Sequence, residues 1–135
     1  MGDSARRARI AVIIDDTDFL DLMRDLLQDE DFEVLICKEW AHAYQFVKDE
    51  QPDLVIQDIR IGGEEHGWTI LNLLTLDPVT RPIPMIVCSA AIQSLHEHQE
   101  MLSQFGTHAL PKPFDLDTLL QAIEDSLAGA RDARG

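Results

Sequence analysis

Asp53-Leu54-Val55-Ile56-Gln57-Asp58 is a short apolar run that ends on a carboxylate, and Ile59-Arg60-Ile61-Gly62-Gly63 follows it. A strand covered by helices on both faces reads as an unbroken apolar run rather than as an alternation. In open α/β sheets, ligands bind at the carboxyl ends of the strands. Three other strand-like runs end on a reactive side chain too. Ile10 to Ile14 runs into Asp15-Asp16, Met85 to Cys88 into Ser89, and His108 to Pro111 into Lys112-Pro113. Three carboxylates, one hydroxyl and one ammonium are therefore expected on one sheet edge, with Asp58 at its centre.

Between these runs the periodicity turns helical. Phe19, Leu22, Met23, Leu26 and Leu27 predict a helix over about 18–29 with those residues on its apolar face. Phe32 to Cys37 alternates at its start, as suits an edge strand. Trp40, Ala43, Tyr44 and Val47 lie at i, i+3, i+4 and i+7 and predict a second helix over 40–49. Gln51-Pro52 ends it, because the residue before proline resists the helical region. Gly67-Trp68 opens a third helix, which carries Leu71 and Leu74 and ends near Leu76. Asp77-Pro78 to Pro84 reads as a proline-marked loop. A fourth helix over about 92–104 has few apolar anchors, Ile92, Leu95 and Leu102, among Glu97, His98 and Glu100. Such a helix is a candidate for a part that moves. Asp115 is a good N-cap for a fifth helix through Leu116, Leu119, Leu120, Ile123 and Leu127. Residues 1–8 are expected to be a disordered lead-in, 9–128 one domain, and 129–135 a frayed tail. Five strands alternating with five helices predict an α/β fold with a doubly wound parallel sheet.

The 135 residues suffice for one domain with one core. A formal net charge of −14 argues against direct nucleic-acid binding, which relies on a basic surface. No apolar run approaches bilayer-spanning length, and Met1 to Arg9 has no apolar segment of signal-peptide type. With Arg6 at the sixth position the myristoylation pattern fails as well. The expectation is a cytoplasmic protein without a membrane partner. Cys37 and Cys88 lie in apolar runs without framework or metal-site spacing and read as small buried hydrophobes.

Each edge residue taken singly has a structural explanation: an acid after a strand is usually a turn or cap residue, and a serine before a helix is usually a cap. The joint pattern of Asp15-Asp16, Asp58, Ser89-Ala90 and Lys112-Pro113-Phe114, in that order, resembles the receiver domains of response regulators, the phosphoacceptor half of two-component signalling. The resemblance spans roughly Arg9 to Leu127. It implies a flavodoxin-like five-stranded sheet of order 2-1-3-4-5 with five helices, whose switch point between strands one and three brings Asp15, Asp16 and Asp58 to one crevice.

Carboxylates gathered at one edge repel one another, and a hard divalent ion relieves that repulsion. Mg²⁺ is the expected cofactor, with Asp16 as direct ligand, Asp15 as a ligand through water, and Asp58 as both ligand and nucleophile. The resemblance adds the backbone carbonyl of Arg60 to the ligand set. Asp58 is the expected phosphoacceptor, since carboxylate attack gives an aspartyl phosphate. Lys112 would supply a counter-charge to the phosphoryl group and Ser89 a hydrogen bond to another of its oxygens, while Ala90 leaves room for it. The resemblance also implies a cis Lys112–Pro113 bond. It implies that Arg60 and Ala91 tune access of water to the phosphoryl group. The partners it implies are a histidine kinase or phosphotransfer protein, and a downstream target or a fused output domain. A second copy could dock through the fourth helix, fifth strand and fifth helix. The histidines, His42, His66, His96, His98 and His108, are expected to be non-catalytic.

Two departures from the family pattern stand out. Gly62 occupies a position where proline is common and Gly67 comes one residue late, so the loop after Asp58 is expected to be looser. Ala109 stands where the family often has an aromatic switch residue, so with Ser89 as the remaining switch group, readout is expected from the fourth helix itself. The competing readings are a haloacid-dehalogenase-like phosphatase using Asp16, from Asp16-Thr17-Asp18, a flavodoxin, and a receiver that never phosphorylates. Asp58 is unexplained in the first, the acids after strand one would repel a flavin phosphate in the second, and the complete residue set speaks against the third.

Overall fold

Alternate residues of the central strands feed two different cores. Ile10, Val12 and Ile14 pack on one side of a sheet and Ala11 and Ile13 on the other, all five with no exposed surface. The computed structural model describes residues 7–134. The expected lead-in over 1–8 falls, apart from its last two residues, outside them. The elements are β1 (Arg9–Ile13), α1 (Thr17–Asp29), β2 (Glu33–Cys37), α2 (Trp40–Glu50), β3 (Leu54–Asp58), α3 (Gly67–Leu76), β4 (Met85–Ser89), α4 (Ile92–Glu97), α5 (Gln99–Gln104), β5 (His108–Pro111) and α6 (Leu116–Arg134). All neighbours in the sheet are parallel, in the order β2-β1-β3-β4-β5. This is the flavodoxin-like doubly wound arrangement expected from the sequence. No helix among the described residues is long and apolar enough to cross a membrane.

β3 and β4 are buried along their whole length, which explains their unbroken apolar runs. On one face α2, α3, α4 and α5 contribute Val47, Leu71, Leu74, Leu95 and Leu102 to the core; on the other, α1 and α6 contribute Leu20, Met23, Leu27, Leu119 and Ile123. Each such fully buried aliphatic side chain stabilises the fold by about 1.5–3 kcal/mol. Pairing of Asp58 with Cys88 in register brings the ends of β3 and β4 level.

Four details differ from the reading of the sequence. The helix expected over 92–104 is two helices that meet at His98, so there are six helices among the described residues and not five. The last helix continues to Arg134 through the segment expected to fray from 129. Leu20 is buried while Leu22 is 54% exposed, because the α1 stripe that meets the sheet is rotated from the one the periodicity suggested. Trp40 likewise sits at the surface, 37% exposed, stacked on His66 of the loop after β3 rather than in the core. Both cysteines are buried and unpaired, as expected.

Candidate functional site

The carboxyl ends of β1, β3, β4 and β5 open onto one cleft of about 620 Å³. Asp15, Asp16, Asp58, Arg60, Ser89, Ala91 and Lys112 all line it. Every site residue inferred from the sequence is thus brought together, except Ala109. That residue lines a separate apolar groove of about 410 Å³ against Ile92, Leu95 and Leu102. None of the five histidines lines the cleft.

Asp58 is the last residue of β3 and only 4% exposed. Burial pushes its carboxyl above the usual carboxylate range. The Lys112 ammonium opposes this, and the charges of Asp15 and Asp16 add to it. Lys112 Nζ lies 2.8 Å from Asp58 Oδ1, an oxygen with no other partner among the described residues. The same ammonium sits 4.5 Å from the centre of the Phe19 ring, which lines its approach with a cation–π contact. The Lys112–Pro113 bond is cis, and Lys112 N–H donates to Ser89 O at 2.9 Å, joining the ends of β4 and β5. Directly behind the site, Cys88 is fully buried, and burial together with the Asp58 charge pushes its thiol up to about 12, so it stays protonated.

Asp15 and Asp16 are exposed at the mouth of the cleft, and each has one oxygen already engaged. Asp16 Oδ1 accepts from Phe19 N–H at 3.2 Å as the N-cap of α1. Asp15 Oδ2 accepts from Gly62 N–H at 2.7 Å. That second bond corrects one expectation: the loop after Asp58 is tied, not loose. Ile61 is buried and bridges to Glu64 and Glu65. Gly62 adopts φ +71°, and a Cβ there would meet Trp40 at 2.5 Å. The Trp40 ring stacks on His66 with centroids 3.8 Å apart. At the far end Gly67 passes so close to β3 that a Cβ would fall 2.6 Å from Asp58 O. The late glycine therefore serves the close approach that starts α3, and Gln57 Nε2 holds Gly67 O at 2.9 Å.

Ser89 ends β4 and is 5% exposed; its Oγ accepts from Ala91 N–H at 2.9 Å, leaving the hydroxyl proton free to be donated elsewhere. No group of three or more His, Cys, Asp or Glu side chains among the described residues could by itself enclose a metal ion. The donor set nevertheless fits Mg²⁺, which takes one or two carboxylates and keeps several waters. Asp15 and Asp16 each retain a second oxygen, Asp58 presents hard oxygens from below, and the cleft leaves room for water.

Sequence reading missed Glu65, Trp68, Ser94 and His98. Glu65 lines the cleft and bonds Ser94 of α4 at 2.8 Å. Trp68 donates to both, and His98 stacks on it. A serine inside a poorly amphipathic helix was the available signal.

The receiver domain of response regulators is the family whose model matches, over residues 10–124. The chain is 29% identical over 105 residues to the DNA-binding transcriptional regulator NtrC of Proteus hauseri, a match covering 76% of this chain and 21% of that protein. It is 26% identical over 121 residues to the polar-differentiation response regulator DivK of Brucella anthropi, covering 88% and 96%. The chain thus spans about a fifth of the first relative and nearly all of the second. Among solved structures, the receiver domain of a sensor histidine kinase from Pseudomonas aeruginosa PAO1, described with a magnesium ion coordinated in its active-site cleft, shares the fold. Its TM-score is 0.78 at 18% identity, covering 91% of this chain and 99% of that one.

Proposed function

The chain belongs to the response regulator receiver domains, and from that premise we propose that it is a phosphoacceptor domain of a two-component phosphorelay, phosphorylated on Asp58. The phosphodonor is a phosphohistidine on a histidine kinase or phosphotransfer protein. An Asp58 carboxylate oxygen attacks phosphorus, the P–N bond breaks, and the imidazole leaves with its electron pair and takes up a proton. The observation that carries this reading is the buried Asp58 with Lys112 Nζ at 2.8 Å in a cleft rimmed by two further acids.

Lys112 supplies a fixed positive charge to one phosphoryl oxygen, and the Ser89 hydroxyl turns to donate to another. Ala90, small and exposed beside them, leaves space for the group. Asp16 directly, Asp15 through water, Asp58 and the carbonyl of Arg60 would hold Mg²⁺. Bound there, the cation offsets charge that builds on the transferring phosphoryl group. The domain catalyses only its own phosphorylation and dephosphorylation. Its output is a change of shape on the face of α4, α5, β5 and α6, read in the cytoplasm by a downstream protein, a fused output domain or a second copy. The exposure of Asp16 against the burial of Asp58 favours this reading over a phosphatase acting through Asp16.

Intact mass after incubation with Mg²⁺ and a small phosphodonor tests it. One added phosphoryl group is expected, absent without Mg²⁺ and absent in Asp58→Asn. A phosphoryl group mapped to Asp15, Asp16 or a histidine would overturn the assignment.

A further inference from the structure

Glu65 belongs both to the wall of the Asp58 cleft and to the packing of α4. Its Oε1 accepts from Ser94 Oγ at 2.8 Å and from Trp68 Nε1 at 3.1 Å. Trp68 Nε1 also donates to Ser94 Oγ at 3.1 Å, which closes a triangle of three groups. Ser94 and Trp68 are each 8% exposed, whereas Glu65 faces solvent. The indole stacks on His98, with centroids 3.8 Å and planes 11° apart, and His98 Nδ1 lies 2.8 Å from Ser94 O. The middle of α4, at Ser94, and its junction with α5, at His98, are thereby held to the loop after Asp58 through one exposed carboxylate. The start of α4 is held separately, by Ala91 N–H on Ser89 Oγ. Beneath α4 the small side chain of Ala109 leaves the apolar groove that Ile92, Leu95 and Leu102 border, so the helix has space in which to shift.

We propose that Glu65 is an electrostatic latch. It holds α4 through Ser94 and Trp68 while Asp58 bears a single charge, and lets go when Asp58 bears a phosphoryl group. The latch rests on the reading of Asp58 as phosphoacceptor. Transfer forms one P–O bond at Asp58 and breaks the P–N bond of the donor. It replaces one negative charge by about two, spread over three oxygens nearer the mouth of the cleft. Lys112 and a bound cation face Asp58 before and after, so the difference felt by Glu65 is the added group. Repulsion between like charges is stronger in a partly water-excluded cleft than in bulk water. Glu65 is the charged and exposed member of the triangle, so it is the member that yields. Hydrogen bonds to a charged acceptor are about twice as strong as neutral ones, so their loss frees α4 and unseats the Trp68 indole.

Trp40→Phe leaves Trp68 as the only tryptophan of the chain's two. In that background the parent and its Glu65→Gln variant, which keeps an acceptor oxygen without the charge, are brought to full phosphorylation with acetyl phosphate and Mg²⁺, as read by intact mass. Amide exchange over residues 92–98 and Trp68 emission are then followed. In the parent, phosphorylation is expected to speed exchange by roughly tenfold, the loss of a charged hydrogen bond, and to shift emission to the red. In Glu65→Gln neither change is expected. Ser94→Ala is expected to exchange fast before phosphorylation and to change little after it. Equal changes in the parent and Glu65→Gln, or slow exchange in unphosphorylated Ser94→Ala, would overturn the latch. If Glu65→Gln alone failed to take up the phosphoryl group, Glu65 would belong to the transfer chemistry and the latch would fall. If no protein gained mass, the reading of Asp58 itself would fall and the latch with it, a result distinct from the others.

Discussion

Lys112 Nζ lies 2.8 Å from Asp58 Oδ1, yet the pair is unequal: the lysine side chain is 28% exposed and the aspartate side chain 6%. The ammonium keeps much of its hydration while the carboxylate has lost nearly all of its own. Attraction to Lys112 therefore does not restore an ordinary carboxyl, and burial wins.

Because Asp58 is raised in the folded state, the folded protein holds that proton more tightly than the unfolded chain does. The stabilising contribution is full below the ordinary carboxylate pKa and is lost as pH rises through the raised value. Above that raised value Asp58 therefore weakens the fold, and Asp58→Asn is expected to raise Tm at neutral pH. The gain should shrink as pH falls toward 4. Thermal melts of both proteins from pH 4 to 8 check this; a gain independent of pH would contradict it.

Lys112→Ala removes the only cation in contact with Asp58 Oδ1 among the described residues. Its phosphorylation rate with acetyl phosphate is expected to fall by about 10² or more, the usual cost of losing one fixed charge at a developing anion. Folded stability at neutral pH should fall as well, because the buried carboxylate loses its partner. Single-turnover kinetics and urea titration measure the two effects separately.

Two glycines of the loop after β3 should respond in opposite degree. A Cβ at Gly67 would lie 2.5 Å from Ile59 Cα and 2.6 Å from Asp58 O, and backbone atoms there cannot step aside. Gly67→Ala is expected to cost more than about 3 kcal/mol and to disturb Asp58. Gly63 has φ +82° and open space around it, so Gly63→Ala should cost only the left-handed strain, about 1–2 kcal/mol. Similar losses in urea titrations of both variants would refute the steric account.

Arg60 and Ala91 both line the cleft and are exposed to water. Ala91 has no polar side-chain group to orient an attacking water, and Arg60 can shield the phosphoryl group. Dephosphorylation is expected to be slow, and the double variant Arg60→Asn/Ala91→Glu to lose its phosphoryl group about tenfold faster. Decay of the phosphorylated mass over time decides it; no acceleration would remove the tuning role.

The Ser89 hydroxyl is the second link to α4, through Ala91 N–H. Drawn to a phosphoryl oxygen, it pulls on that loop, so amide exchange across 90–104 should change on phosphorylation in the wild type. At residues 90 and 91 the change should be less than about a third as large in Ser89→Ala, where no hydroxyl can make that bond, while the change over 92–98 that Glu65 carries should persist. Equal changes would mean that this hydroxyl does not carry the signal.

The chain's order of residues alone was enough to place Asp58 at the end of a buried strand and to gather Asp15, Asp16, Ser89 and Lys112 beside it. The reason is local. A two-sided strand must be apolar throughout, right-handed crossovers leave few topologies, and residues at carboxyl ends of parallel strands share one edge whatever the loops do. Contacts between side chains far apart in sequence had no such local trace. Leu20 rather than Leu22 faces the sheet because of the angle at which α1 docks, which periodicity does not set. The helix breaks at His98, whose ring stacks on Trp68, and no helix-breaking residue marks the spot. The loop after Asp58 lacks the family's proline but is tied by Gly62 N–H to Asp15, 47 residues away. Glu65 meets Ser94 across 29 residues. Only packing in three dimensions selects such pairs, since each requires two backbones already fixed by the sheet to bring the partners within hydrogen-bond reach.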